Sequence, residues 1–299
     1  VRRYATLRRI LALDPARDFE RIYRITTTLE FPWDTTQALS LALFRTYAVP
    51  SIGGLLARTG EFTRRAQKRY DDTTLILDAV IEHGMDSRPG RTAIRRMNQM
   101  HGAYPIGNAD MRYVLATFVV CPIRWIDRFG WRPLAEAERV AMANFYRALG
   151  RRMGIRDIPA THQEFALLLD EHERVHFRFD RGGREVADAT LDLLATFRPF
   201  RYLPAPVVRR VVYALLDDGL LAAFDFPRPG RVEQAATTAT LRARARLVRL
   251  LPPRSEPRFP RESSNVRGCP GGYDIARLGT FPRSGRSHTD PSSTPRVAD

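Results

Sequence analysis

The sequence predicts an all-α protein: a single multi-helix globular domain around one buried central helix, with no significant β-sheet. Three observations carry this. From Tyr113 to Val120 there is no charged residue and no polar face, and a helix apolar all round belongs at the centre of a domain. Elsewhere apolar residues return at helical intervals, as with Ile94, Met97, His101 and Tyr104. No stretch shows the strict alternation of a half-buried strand, and no internal repeat or linker divides the chain. With 299 residues, 44% of them hydrophobic, one large core is affordable in surface-to-volume terms.

In chain order, Leu7, Ile10 and Leu11 followed by Phe19, Ile22 and Ile25 give a helical entry over residues 1–30. Pro32 interrupts it, and Asp34 is expected to cap a helix carrying Leu39, Leu41, Leu43 and Phe44. Pro50 suits the first turn of the next helix and Gly60 its end. Asp71-Asp72-Thr73 is read as the start of a helix through Ile76 and Val80, stopping near Gly84. The helix after Arg91 ends before the turn Pro105-Ile106-Gly107-Asn108, where Asn108 is expected to cap the central helix and Pro122 and Arg124 to end its apolar run. Pro133 begins a helix through Val140, Phe145 and Leu149. Thr161-His162-Gln163-Glu164 has capping-box form, and the stripe Phe165, Leu168, Leu169, His172, Val175, His176, Phe179 follows it on one face. Gly182-Gly183 is expected to end that segment. Further helices run through Val186 to Phe197, through Val211 to Leu221 after Pro204 and Pro206, and over 231–250 before Pro252-Pro253. The domain is expected to span 1–282, with 283–299 a disordered tail rich in Pro, Arg and Ser.

The formal net charge is +15, but Lys68 is the only lysine and the arginines are interspersed with Asp and Glu. No zinc-finger, RNP-like or helix-turn-helix signature is present, so nucleic acid is not an expected partner. Cys121 and Cys269 suggest neither a disulfide framework nor a zinc site. There is no signal peptide and no span of eighteen apolar residues, so the chain reads as soluble and cytoplasmic without a transmembrane segment. Dinucleotide and phosphate loops, a Gly-x-Ser-x-Gly elbow and His-Glu-x-x-His are all missing.

What remains is a set of inward histidines and nearby arginines. His172 and His176 lie four apart on one face, and His101 lies on another helix. Such a set suggests a metal or haem site, because haem needs an imidazole donor and its propionates favour arginine; Arg95, Arg96 and Arg124 are best placed. Glu173-Arg174-Val175-His176 also matches the Glu-x-x-His element of di-iron bundles, which need two such elements and two further glutamates. A buried helix-face histidine is equally at home as a core residue.

Several longer motifs are distinctive: EFPWD at 30–34, LFRTYAVPSI at 43–52, TGEF at 59–62, KRYDDT at 68–73 and RRMNQMHGAYPIGNADM at 95–111. They continue with LATF at 115–118, PIRWIDRFGWR at 122–132, MGIRDIPATHQEF at 153–165, EHERVHF at 171–177, VADATL at 186–191 and PGGYDIARLG at 270–279. On these the chain resembles the superfamily joining the fungal oxygenase MpaB to the bacterial rubber oxygenases (latex clearing proteins), most of all its MpaB-like branch. The resemblance implies a helical fold around b-type haem, with dioxygen cleaving a carbon–carbon double bond of an apolar, isoprenoid or lipid-like small molecule.

It also implies a departure. Where the rubber enzymes have the iron-ligating histidine before Ala-Thr on the central helix, this chain has Leu115 before Ala116-Thr117. The resemblance places His101 with the helix bearing oxygen-side residues, which leaves His176 as the first candidate for iron and His101 as the second. Arg95, Arg96 and Arg124 would hold propionates or polarise oxygen, Glu82 would correspond to a catalytic glutamate, and Asn108 and Asp110 would shape the turn. The alternatives are a non-enzymatic carrier of haem or an apolar ligand, and a di-iron oxygenase.

Overall fold

Helical periodicity dominates the folded chain. The computed structural model describes residues 2–269 and 272–279, and among them there are α-helices and short 3-10 turns but no strand. The expected tail, 283–299, lies outside the described residues. The helices are α1 Ala5–Leu11, α2 Phe19–Ile25, α3 Pro32–Tyr47, α4 Pro50–Thr59, α5 Glu61–Arg64, α6 Ala66–His83 and α7 Arg88–Gly102. They continue with α8 Asn108–Phe129, α9 Glu136–Arg152, α10 His162–His176, α11 Arg181–Ala195, α12 Ala205–Tyr213, α13 Asp218–Ala223 and α14 Arg231–Leu250.

The expected central helix is α8, which packs against α3, α9 and α10 and buries Tyr113, Leu115, Ala116, Val119 and Val120. Pro122 ends the apolar run but not the helix, which continues to Phe129. The missing N–H at Pro122 costs one intrahelical bond, and packing of Ile123, Trp125 and Ile126 on the far side offsets it. A second core joins Phe44 and Tyr47 of α3 to α11, α12 and α13.

Four boundary expectations fail for identifiable reasons. Asp34 does not cap α3, which starts at Pro32; the carboxylate is buried against Arg244 (2.9 Å). Asp71 and Asp72 do not start a helix but lie inside α6. Asp71 accepts the backbone N–H groups of Arg267 and Gly268, and Asp72 pairs with Lys68 at 2.6 Å. Asn108 does not cap α8, where Gly107 holds the cap position; its amide bonds the backbone of Arg156 in both directions. Gly182 and Gly183 do not end a segment. They form the first turn of α11, where Gly183 lets the helix close on α4: a Cβ on Gly53 would lie 2.8 Å from the Gly183 Cα. Thr161 does cap α10, accepting from the Glu164 N–H at 3.2 Å.

Between Ile25 and Pro32 the chain takes a π-helical turn, Thr26–Glu30. It ends on a buried cluster in which Arg132 donates to Glu30 (2.9 Å) and Glu138 (2.6 Å). No single described helix is long and apolar enough to cross a membrane; α3 and α4 together reach the required length and composition but are bent by 99°.

Candidate functional site

α3, α4, α6, α7 and α8 enclose a chamber of about 310 Å³, within the size range of small-molecule sites. Its walls are aliphatic and aromatic, including Leu43, Met97, Met100, Val114 and Phe118, and exposed Pro105 marks its open end. A smaller chamber of about 130 Å³ adjoins it between the Thr26–Glu30 turn, α3, α6 and α11. Tyr47, Arg69, Phe118 and Tyr146 line both.

His101 projects from the last turn of α7 into the larger chamber, as its i, i+3 spacing with Ile94 and Met97 predicts. Its Nδ1 is buried without a hydrogen-bond partner among the described residues. Burial, reinforced by the Arg69 charge, holds its pKa down at about 4, so the ring is neutral at pH 7 and offers a lone pair. Arg69, on α6, also faces both chambers. Burial lowers its pKa, and the nearby acids are engaged elsewhere: Asp72 by Lys68 and Glu61 by Arg65. The Phe62 ring, 5.6 Å from its guanidinium carbon, is its aromatic neighbour. Among the described residues Arg69 pairs with no carboxylate, and a buried unpaired guanidinium is costly to keep, so it could hold an anionic ligand group.

Leu115 occupies the position where the resemblance places an iron-ligating histidine. It lines the larger chamber and packs on α9, where a Cβ on Gly150 would come within 2.6 Å of it. His176 lines neither chamber. Its ring lies tilted by 38° against His172 (centroids 4.3 Å apart), and His172 stacks in turn on Tyr113 (4.3 Å, 14°). His172 Nε2 is buried without a partner, and burial brings that ring's pKa down to about 4. Glu173 is held by Arg45 and by the Tyr113 hydroxyl at 3.2 Å. Among the described residues no three His, Cys, Asp or Glu side chains converge as a metal-binding group, so the Glu-x-x-His element lacks the companions a di-iron site needs.

The arginines singled out from sequence lie outside the chambers. Arg95 is exposed on α7. Arg96 donates to the Leu278 carbonyl, tying the 272–279 segment to α7. Arg124 forms a two-pronged pair with Asp170 (2.8 and 2.6 Å) at the surface. Glu82 faces Arg261 at 2.8 Å and His83 at 3.3 Å on the outer end of α6. Asp110 lines the larger chamber and lies close enough to His172 to influence its charge.

Sequence reasoning passed over Arg69, Asp78 and the Tyr23–Tyr146 pair. A signal existed for the first two: Arg69, Thr73, Ile76 and Val80 recur at i, i+4, i+7 and i+11, and Asp78 interrupts an apolar run on the same helix. The tyrosines are 123 residues apart, and no local pattern joins them.

The catalytic-domain model described as "ER-bound oxygenase mpaB/B'/Rubber oxygenase" matches residues 35–250. The chain is 37% identical over 141 residues to the ER-bound oxygenase mpaB of Penicillium roqueforti (strain FM164), covering 45% of this chain and 47% of that protein. It is 30% identical over 244 residues to the ER-bound oxygenase mpaB' of Penicillium brevicompactum, covering 75% of this chain and 57% of that protein. The chain thus spans about half the length of these two curated relatives.

Proposed function

The chain belongs to the family that unites the ER-bound oxygenases mpaB and mpaB' with the rubber oxygenase catalytic domain, and from that membership we propose that it is a haem-dependent oxygenase acting on an apolar, isoprenoid or lipid-like small molecule. The observation that carries the haem reading is the neutral His101 imidazole, whose Nδ1 has no hydrogen-bond partner among the described residues, in an apolar chamber that also contains Arg69, a cation paired with no described carboxylate. A b-type haem asks for those features: a neutral imidazole donor, apolar walls and a cation for its propionates. The residues present therefore fit the group.

In this reading His101 ligates iron and Arg69 binds a propionate. Haem, when bound, supplies the one-electron chemistry by which dioxygen becomes reactive toward a carbon–carbon double bond. The protein's own work is to bind and to exclude. Met97, Met100, Val114 and Phe118 hold an apolar chain and keep water out. Leu115 closes the α8 side against Gly150, leaving the donor role to α7. His176, packed against His172 outside the chambers, is the lesser candidate for iron.

The test is an absorption spectrum of the purified protein supplied with hemin, repeated for His101→Ala and His176→Ala. The expected result is a Soret band that persists in His176→Ala and is lost or displaced in His101→Ala. The reverse pattern moves the ligand to α10. A protein that stays colourless with hemin refutes the haem assignment, and bound iron without porphyrin points to a non-haem oxygenase. A haem spectrum without oxygen uptake on any prenyl substrate leaves a carrier.

A further inference from the structure

The smaller chamber has a polar inventory that the haem site does not use. Its walls are rich in hydroxyl side chains, yet most are turned away from it. Thr27, Thr28, Thr36, Ser40, Thr73 and Thr190 each donate to the carbonyl four residues earlier in their own helix, at 2.7–3.0 Å. Their hydroxyl hydrogens are used, so they bring carbon and acceptor lone pairs to the cavity but no donor.

Three groups are left over. Thr35 Oγ1 is buried and has no partner among the described residues, on a residue only 7% exposed. Tyr23 and Tyr146 bond to each other at 2.7 Å, which uses one of their two hydroxyl hydrogens and leaves the other without an acceptor among the described residues. Asp78, 1% exposed, accepts the Arg261 N–H at 2.8 Å through Oδ2, while Oδ1 accepts no hydrogen bond among the described residues. All four side chains line the smaller chamber. Beside Arg69 and the hydroxyls of Tyr47, Tyr70 and Thr74, which also line it, the chamber therefore offers two donors and one carboxylate acceptor.

Above pH 7, where Asp78 is ionised, a carbonyl or ether group would answer the donors and leave Asp78 unanswered. A carboxylate or phosphate would confront the Asp78 carboxylate. A hydroxyl both accepts and donates and answers both kinds of group. We propose that the smaller chamber binds the hydroxyl end of the substrate, an alcohol or phenol on an apolar chain whose remainder lies in the larger chamber. This rests on the reading above in one respect: Arg69, which lines both chambers, is assigned to a propionate. Without haem, Arg69 would instead invite an acid.

The experiment is calorimetric titration of the full chain with three ligands of one carbon skeleton, farnesol, farnesoic acid and the terminal-methyl hydrocarbon, in detergent below its micelle concentration. It is repeated for Thr35→Val and Asp78→Asn, with circular dichroism confirming that each is folded. The expected result is tightest binding of the alcohol, with each substitution reducing its affinity about tenfold, the cost of one buried hydrogen bond, and leaving the hydrocarbon unchanged. Equal affinity for alcohol and hydrocarbon, an alcohol preference indifferent to both substitutions, or no binding of the alcohol at all overturns the proposal. Tighter binding of the acid, lost in Arg69→Gln, overturns it too. A Soret spectrum of the same hemin-treated samples separates the two failures: alcohol selectivity without haem defeats only the cofactor, and haem without alcohol selectivity defeats only this chamber assignment.

Discussion

Burial governs the charge of two ionisable side chains on the chamber walls. The Asp78 carboxyl is pushed up to about 7 by desolvation, against the pull of the Arg261 N–H and charge and with a further push from Glu82 and Glu262. A carboxyl whose folded pKa exceeds its unfolded one favours the native state while protonated. That contribution is lost as pH rises from about 4 through 7. Asp78→Asn keeps an acceptor for the Arg261 N–H and removes the titration. It should match wild type near pH 3 and exceed it at pH 8 by on the order of 2–4 kcal/mol in urea unfolding; a pH-independent difference contradicts the assignment. His101 behaves oppositely, for its depressed pKa makes the native state resist protonation, so acid between about 6.5 and 4 weakens the fold at this wall. The spacing that exposed His101 in the sequence worked because an imidazole on an apolar helix face has few other places to go. Arg69 escaped notice because an arginine beside Lys68 and Asp72 reads as one more solvated charge until α6 is seen to face inward.

At the scale of helices, close approach of α4 and α11 shapes one side of the larger chamber, since Ser51, Ile52 and Leu55 of α4 line it. Gly53 permits that approach: a Cβ there would lie 2.3 Å from the Tyr47 carbonyl oxygen and 2.8 Å from the Gly183 Cα, both backbone. Backbone cannot swing aside like a flexible side chain, so Gly53→Ala should destabilise by about 1–3 kcal/mol and lower the thermal midpoint by several degrees. An unchanged midpoint would mean the helices separate freely. Local sequence grammar placed α14 at about 231–250, closed by Pro252-Pro253, and the helix runs Arg231–Leu250. The same grammar failed for Asp71-Asp72, which look like a helix start but anchor a segment almost two hundred residues downstream. The α10 stripe was legible as far as Leu169, whereas Val175 and Phe179 are 52% and 56% exposed. Periodicity identifies a face, but not how far a partner covers it.

For the whole molecule, the fold class, the central helix and the family were all readable, because each rests on patterns within short windows. The chamber was not, since it is the space left between five helices and its decisive groups come from segments with no shared local pattern. A ligand that occupies such a space only in the folded state stabilises it by mass action. Hemin at a hundred times its dissociation constant should add about 2.7 kcal/mol, read as a hemin-dependent rise in thermal midpoint that His101→Ala abolishes. A rise of equal size in that variant would indicate adsorption elsewhere.

The bond from Arg96 to the Leu278 carbonyl spans 182 residues. Leu278 is itself buried, and the Met100 sulfur nestles against Gly279, so the helix that bears His101 is braced by chain made long after it. On the ribosome, α3 to α8 emerge and begin to pack while this brace is still untranslated. A prosthetic group at His101, as proposed above, would gain this brace only once residues 272–279 have been made, and nascent chains stalled before Tyr273 should retain hemin less well than chains that carry the segment.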